Sequence, residues 1–447
     1  MVVMNPSQND RSGIQRTRIA GIWVTVLYFA EGFPYTIVNQ MSIIFFKALG
    51  ASNELIGLTS FLYLPWALKG LWGPLVDVYS TKRRWILGAE IVCAALFLAL
   101  AIGALTPMVM TLSICCFGLI AFVSATHDIA IDGFYLDVLD KDRQAFYSGF
   151  RTTAYRISFL VGSGALVFLA GYIADGYSNG TNDAGETIYR LVRGTFHPVS
   201  FGWAVTFGIS ACLFLLIYGF QTWYLPNPGK EKKETIEQGV SGRFLDAFVT
   251  YFSQNRIGWI VTYVLLIRLG DAFMLKMAPP FLMDSAQKGG LGISTAEIGI
   301  LYGTVGIIFL LGGGILGGFL VAKQGLKRWL LPTALLQNGA IILYWILAIT
   351  RPSLPWIYAA NSFEQFSFGM GVSAFVIFLM RTVRPEYRAS HYAITTAFMA
   401  AGMLLPGVVS GYLQAWMGYP MYFLMSFLVS IPGLITIFFL PLEEKNR

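Results

Sequence analysis

Ser124-Ala125-Thr126-His127-Asp128-Ile129-Ala130-Ile131-Asp132-Gly133 sets two carboxylates four residues apart inside an otherwise apolar run. On a helix that spacing stacks Asp128 and Asp132 on one face, about one turn apart. A charge in hydrocarbon costs roughly 2.5–3.5 kcal/mol on insertion scales, so it persists where it faces a bundle interior, a partner or a polar cavity. Other apolar segments supply candidate partners in Lys69, Arg151, Arg156, Arg268 and Lys276, with further acids at Glu31, Asp271 and Glu364. This much charge, carried through several apolar segments, marks a polar path across a membrane.

Working outward, the composition agrees. Hydrophobic residues make up 56% of the 447, and charged residues only 12%, where a soluble domain carries about 25%. The mean hydropathy is +0.62. The net charge of +7 is spread in short clusters between apolar stretches, which excludes a nucleic-acid-binding patch. Cys93, Cys115, Cys116 and Cys212 all lie in apolar runs without CxxC spacing, so buried thiols are expected rather than disulfides or metal ligands.

A membrane-spanning helix needs about 20 mostly apolar residues. Twelve such spans are expected, at roughly 19–46, 54–76, 85–105, 108–137, 145–172, 199–225, 256–283, 295–322, 329–349, 355–383, 391–415 and 419–441. The first reads as a retained span rather than a cleaved signal. With the N-terminus cytoplasmic, 21 Lys/Arg fall in or beside cytoplasmic segments and five on the other side: Lys47, Arg190, Arg193, Lys288 and Arg351. That imbalance predicts that both termini are cytoplasmic.

The chain therefore divides into a cytoplasmic segment 1–18, a six-helix half 19–225, a polar cytoplasmic linker 226–255, a second half 256–441 and a tail 442–447. The halves repeat weakly: Arg84-Trp85-Ile86-Leu87 matches Arg328-Trp329-Leu330-Leu331, each opening a third span. The expected fold is an all-α integral membrane protein with two parallel six-helix repeats, the organisation of the major facilitator fold, with its solute site between the halves.

After the second span, Gly73-Pro74-Leu75-Val76-Asp77 leads into Lys82-Arg83-Arg84. This resembles the facilitator superfamily's Gly-x-x-x-Asp-then-basic signature, and Gly73, Asp77, Arg83 and Arg84 are the expected cytoplasmic gate. The alternative reading is a plain positive-inside loop. The second half keeps Gly317, Lys327 and Arg328 but has Val321 near the acid's place.

A finer resemblance, to the AmpG-type anhydromuropeptide permeases of Gram-negative bacteria, rests on several stretches. These are Lys69-Gly70-Leu71-Trp72-Gly73-Pro74-Leu75-Val76-Asp77, the span-four stretch quoted above, Tyr155-Arg156, Arg268-Leu269-Gly270-Asp271-Ala272-Phe273 and Phe363-Glu364. A fainter likeness extends to the acetyl-coenzyme A transporters. Departures from the permease pattern are Arg268 in place of Lys, His127 where Gln is frequent, and a longer loop at 173–198. The resemblance implies secondary transport of cell-wall-derived anhydromuropeptides or amino sugars across an inner membrane, or otherwise of another bulky anion such as an acyl-coenzyme A or a siderophore. The partners expected are that small solute, protons and the lipid bilayer, for a monomer without a cofactor.

The expected substrate contacts are Tyr28, Gln40, Lys69, Asp128, Asp132, Arg156 and Gln365. Lys69 is expected to pair with Asp128 or Asp132, and Arg156 either to hold an anionic group bidentately or to neutralise span four. Glu31, Asp271 and Glu364 are the expected proton carriers, since buried carboxyls that alternate between dry and wet surroundings can bind and release protons. His127 faces away from the Asp128/Asp132 stripe and is expected to be structural. The three histidines form no Ser-His-Asp or metal-ligand pattern, and no Walker A motif occurs. An enzyme and a nucleotide-driven pump are thereby disfavoured.

Overall fold

The computed structural model describes residues 6–181, 187–227, 246, 248–383 and 388–442. Twelve helical segments run along it: α1 Ala20–Ala48, α2 53–79, α3 Lys82–Gly103, α4 Val109–Val138, α5 Lys141–Asp175, α6 Pro198–Tyr224, α7 Ile257–Met283, α8 Thr295–Gln324, α9 Leu326–Thr350, α10 Leu354–Arg381, α11 388–417 and α12 419–439. Ten continuous helices among the described residues are long and apolar enough to cross a membrane. The last of them folds at Gly418 (φ 72°, ψ 166°) to give the two arms α11 and α12. Only glycine adopts that backbone without strain. The protein is a multi-pass all-α membrane protein.

The segment α2 is helical but interrupted. Pro65 and Pro74 each sit in the first turn of a short α-helical piece, and 3₁₀ turns fill Thr59–Tyr63 and Lys69–Leu71. Proline lacks the N–H an interior position needs but suits a first turn, so the sequence breaks α2 where the prolines stand. Elsewhere side chains cap helix starts: Thr81 accepts from Arg84 N, Asp140 from Arg143 N and Ser294 from Glu297 N. The loop expected at 173–198 adds a two-stranded hairpin, Ser178–Thr181 with Thr187–Tyr189. It is a small departure from an all-α reading.

Core packing is joined at one end and divided at the other. At the end where α1 stops near Lys47, a single hydrophobic core includes Phe45, Phe46, Phe117, Trp203 and Phe207 of the first half. The same core includes Met277, Phe281, Leu301, Tyr344 and Phe423 of the second. Towards the Arg83 end each half keeps its own core, one around Trp23, Phe134 and Tyr147, the other around Tyr263, Leu330 and Phe378. Across the joined end α5 meets α8 and α2 meets α11. A Cβ on Gly303 would collide with the Gly164 backbone, so this crossing requires glycine.

One expectation needs correction here. Cys93 and Cys116 are buried, whereas Cys115 and Cys212 are exposed on the outer faces of their helices; all four are free thiols. The linker 226–255, the segment 1–18 and the tail 442–447 fall largely on residues or side chains outside those described.

Candidate functional site

The 3₁₀ turn at Lys69–Leu71 carries Lys69 toward α4, where its ammonium pairs with the Asp128 carboxylate. Trp72 Nε1 donates to Thr126 Oγ1 at 3.2 Å and fixes the broken helix against α4. One turn on, Asp132 takes a different partner: Arg151 of α5 lies 2.8 Å away. Tyr28 Oη also donates to Asp132 at 3.2 Å, and its ring lies 4.5 Å beneath the Arg151 guanidinium. The stacked carboxylates of the sequence thus hold two cations from two helices.

Glu31 of α1 is buried beside this group, in the field of Asp128, Asp132 and Arg151. The side chains of Lys69, Arg151 and Asp132 nevertheless remain 35%, 40% and 38% exposed. A charge facing lipid at mid-span is costly, so exposure of this kind fits a water-filled cleft rather than hydrocarbon.

Aromatic rings line the neighbouring wall. The Tyr35 centroid lies 5.1 Å from Trp66, 5.9 Å from Phe159, 6.3 Å from Tyr155 and 6.4 Å from Tyr63. Arg156 lies beside Phe159, its guanidinium carbon 6.0 Å from that ring. No carboxylate among the described residues pairs with it. Gln40 sits partly exposed in the π-helical stretch Ile37–Met41 of α1.

In the second half, a turn at Ile267–Arg268 restarts α7 with Asp271 in its first turn. Gln337 of α9 donates to Asp271, and Arg268 Nε lies 3.9 Å from the same carboxylate. Glu364 of α10 is buried, accepts from Gln365 Nε2 at 2.9 Å and lies in the field of Asp271. The expected acids of this half therefore sit together, with one cation at their edge.

Two expected substrate contacts are placed differently. Tyr28 is fully buried and engaged with Asp132 and Arg151, so it positions the charged pair rather than facing the cleft. Gln365 is buried with its amide turned onto Glu364. Of the expected gate, Arg83 donates to the Thr222 and Leu225 carbonyls at 2.7 and 3.3 Å, closing the end of α6 within its own half. Arg84 is exposed, and a Cβ on Gly73 would meet only open space. The Asp77 side chain lies outside the described residues.

Sequence reasoning named Arg151 among the candidate partners of the span-four acids but did not include it among the expected substrate contacts. It missed Glu90, buried in α3 with His127 Nε2 3.8 Å from its carboxylate. It also missed the seal at the joined end. There Lys47 pairs with Asp284 at 2.7 Å and donates to Asn53, Asn53 donates to Gln414 and Tyr419, and Tyr419 donates to Asp284.

A sequence profile for the Major Facilitator Superfamily matches residues 24–405. The chain belongs to the major facilitator superfamily. Among its relatives, the anhydromuropeptide permease of Escherichia coli (strain K12) is 28% identical over 420 residues, 92% of this chain and 78% of the permease. A putative transporter AmpG 4 of Rickettsia conorii is 24% identical over 438 residues, covering 93% and 95% of the two chains. An uncharacterized protein of Haemophilus influenzae is 26% identical over 439 residues, 94% of each chain.

Solved facilitators share the fold at low identity. A POT family transporter in complex with a thioalcohol-conjugated peptide superposes with TM-score 0.66 at 13% identity, covering 94% and 96% of the two chains. The nucleoside transporter NupG gives 0.64 at 16%, with 94% and 98% covered. A D-xylose-proton symporter gives 0.63 at 15%, with 95% and 96% covered. This member of the superfamily is a secondary transporter rather than an enzyme, and the AmpG-type resemblance read from its motifs extends along nearly the whole chain.

Proposed function

We propose that this transporter carries cell-wall-derived anhydromuropeptides or amino sugars into the cytoplasm by alternating access, together with protons. The half-exposed charges of Lys69, Asp132 and Arg151 at mid-span carry the reading, because they require a wet cleft lined by groups that can hold a polar, ionised solute. The rings of Tyr35, Trp66 and Phe159 beside Arg156 offer flat apolar faces to sugar rings and a fork to a carboxylate. The named activity of the Escherichia coli relative supports the same solute class.

Protons are assigned to Glu31, Asp271 and Glu364. Glu31 is buried in the field of Asp128, which Lys69 holds, so rearranging that pair on solute binding changes how well Glu31 keeps a proton. In this reading the Lys47 end is extracytoplasmic and sealed, while the cleft opens to the cytoplasm. Arg83 and Arg84 then lie at the cytoplasmic face of an inner-membrane protein with both termini inside.

The test is equilibrium binding by the purified full chain to an anhydromuropeptide, free N-acetylglucosamine, acetyl-coenzyme A and a ferric siderophore. Tighter binding of the anhydromuropeptide or the amino sugar is expected. Preference for either of the other two would overturn the substrate class.

A further inference from the structure

Lys276 is a cation that the reading above does not use. It lies on α7 in the second half, and its Nζ donates to Thr59 Oγ1 of α2 in the first half at 2.8 Å. Three of the other mid-span cations differ: Lys69 has Asp128, Arg151 has Asp132 and Arg268 has Asp271. No described carboxylate is within ion-pair distance of Lys276. An ammonium offers three N–H donors, and a single neutral hydroxyl leaves most of that capacity and all of the charge uncompensated.

Its position is informative. Asp284, eight residues further along the chain, belongs to the seal and is already held by Lys47 and Tyr419. Eight residues span about 12 Å of helix, so Lys276 lies beneath the seal, towards the interior of the bundle. The π-helical stretch Ile37–Met41, which carries Asn39 and Gln40, packs against the Thr59–Tyr63 turn at this level. Both amides are partly exposed, as is Lys276 itself. Side chains from α1, α2 and α7 thus form a polar ceiling with one positive charge.

We infer that Lys276 is the anion-binding point at the closed end of the cleft, where it takes a carboxylate of the substrate in place of the Thr59 hydroxyl. An unpaired ammonium inside a membrane protein is costly until a counter-charge arrives. A substrate carboxylate supplies that charge and gains a charge-assisted hydrogen bond. Because α7 and α2 belong to opposite halves, the bound anion contacts both and couples occupancy to their relative movement. With Arg156 beside the aromatic wall, two cations without acidic partners then bracket the solute from the two halves.

This rests on the proposed solute class, and the experiment separates the two. Binding to the purified full chain is measured for an anhydromuramyl peptide with free carboxylates and for the same compound with every carboxylate amidated. Wild-type protein should bind both, the acid more tightly. Lys276→Met should weaken the acid about tenfold or more while leaving the amide within about twofold, and Lys276→Arg should restore most of the loss. If Lys276→Met does not give a monodisperse protein, Lys276→Gln, which keeps a hydrogen-bond donor to Thr59, gives the same comparison. Equal weakening of both ligands would show Lys276 to be only a tether between the halves. Unchanged affinity for the acid would remove it from the site. Failure of the wild-type protein to bind either ligand would overturn the substrate reading, and this inference with it.

Discussion

Lys69 and Asp128 neutralise one another across α2 and α4, and the pair is only partly dry because Lys69 is 35% exposed. Breaking a fully buried pair costs about 3–5 kcal/mol; the exposure of Lys69 brings the expected loss for Lys69→Ala down to about 1–3 kcal/mol. Uptake should fall roughly tenfold, and Lys69→Ala combined with Asp128→Asn should recover part of that loss. Strictly additive losses in this double-mutant cycle would mean that the groups act separately. His127 gives the contrast: it is fully buried on the opposite face of α4, against the buried Glu90 of α3. Replacing His127 with Gln should shift thermal stability while leaving uptake within about twofold, and a large loss of uptake at unchanged stability would place His127 in the transport path. Helical spacing made these two faces of α4 legible in the sequence. It did not show which cation meets which acid, because that depends on how neighbouring helices are rotated. Arg151, twenty residues beyond Ile131 in the chain, reaches Asp132 only through the packing of α5.

At the scale of single elements, small residues and prolines set where helices break and touch. The prolines of α2 were legible as interruptions, but not the consequence that a 3₁₀ turn would swing Lys69 onto α4. Gly303 and Gly164 form the crossing of α8 and α5, inside π-helical stretches at 299–306 and 160–165. Such stretches recur at functional sites, and here they lie where the halves close. Gly303→Val should wedge this crossing apart and populate the state open at the Lys47 end. A cysteine at Gln40 should then react faster with an impermeant thiol reagent added outside. An unchanged rate in a stably expressed variant would show that the crossing does not control closure. The turn at Gly418 was legible only as a boundary between two expected spans; its left-handed backbone emerges from the packed structure.

For the molecule as a whole, apolar run lengths and loop charges specified a twelve-segment facilitator, and motif resemblance reached the family. The seal of Lys47, Asn53, Asp284, Gln414 and Tyr419 was not legible, since its members are ordinary polar residues at helix ends, brought together from opposite halves. Orientation can be tested directly. In a background where Cys115 and Cys212 are replaced by Ser, cysteines at Asn179 and Lys232 should label oppositely in intact cells, Asn179 reacting and Lys232 protected. Equal labelling would contradict the assignment of the Lys47 end to the outside. The central claim is gradient-driven import of a cell-wall glycopeptide, tested most directly by uptake of a labelled anhydromuropeptide into proteoliposomes under an imposed inward proton gradient. The account expects accumulation above the external concentration, its collapse on adding a protonophore, and its loss in at least one of Glu31→Gln, Asp271→Asn and Glu364→Gln with substrate exchange retained. Uptake that ignores the gradient, or full accumulation by all three variants, would contradict it.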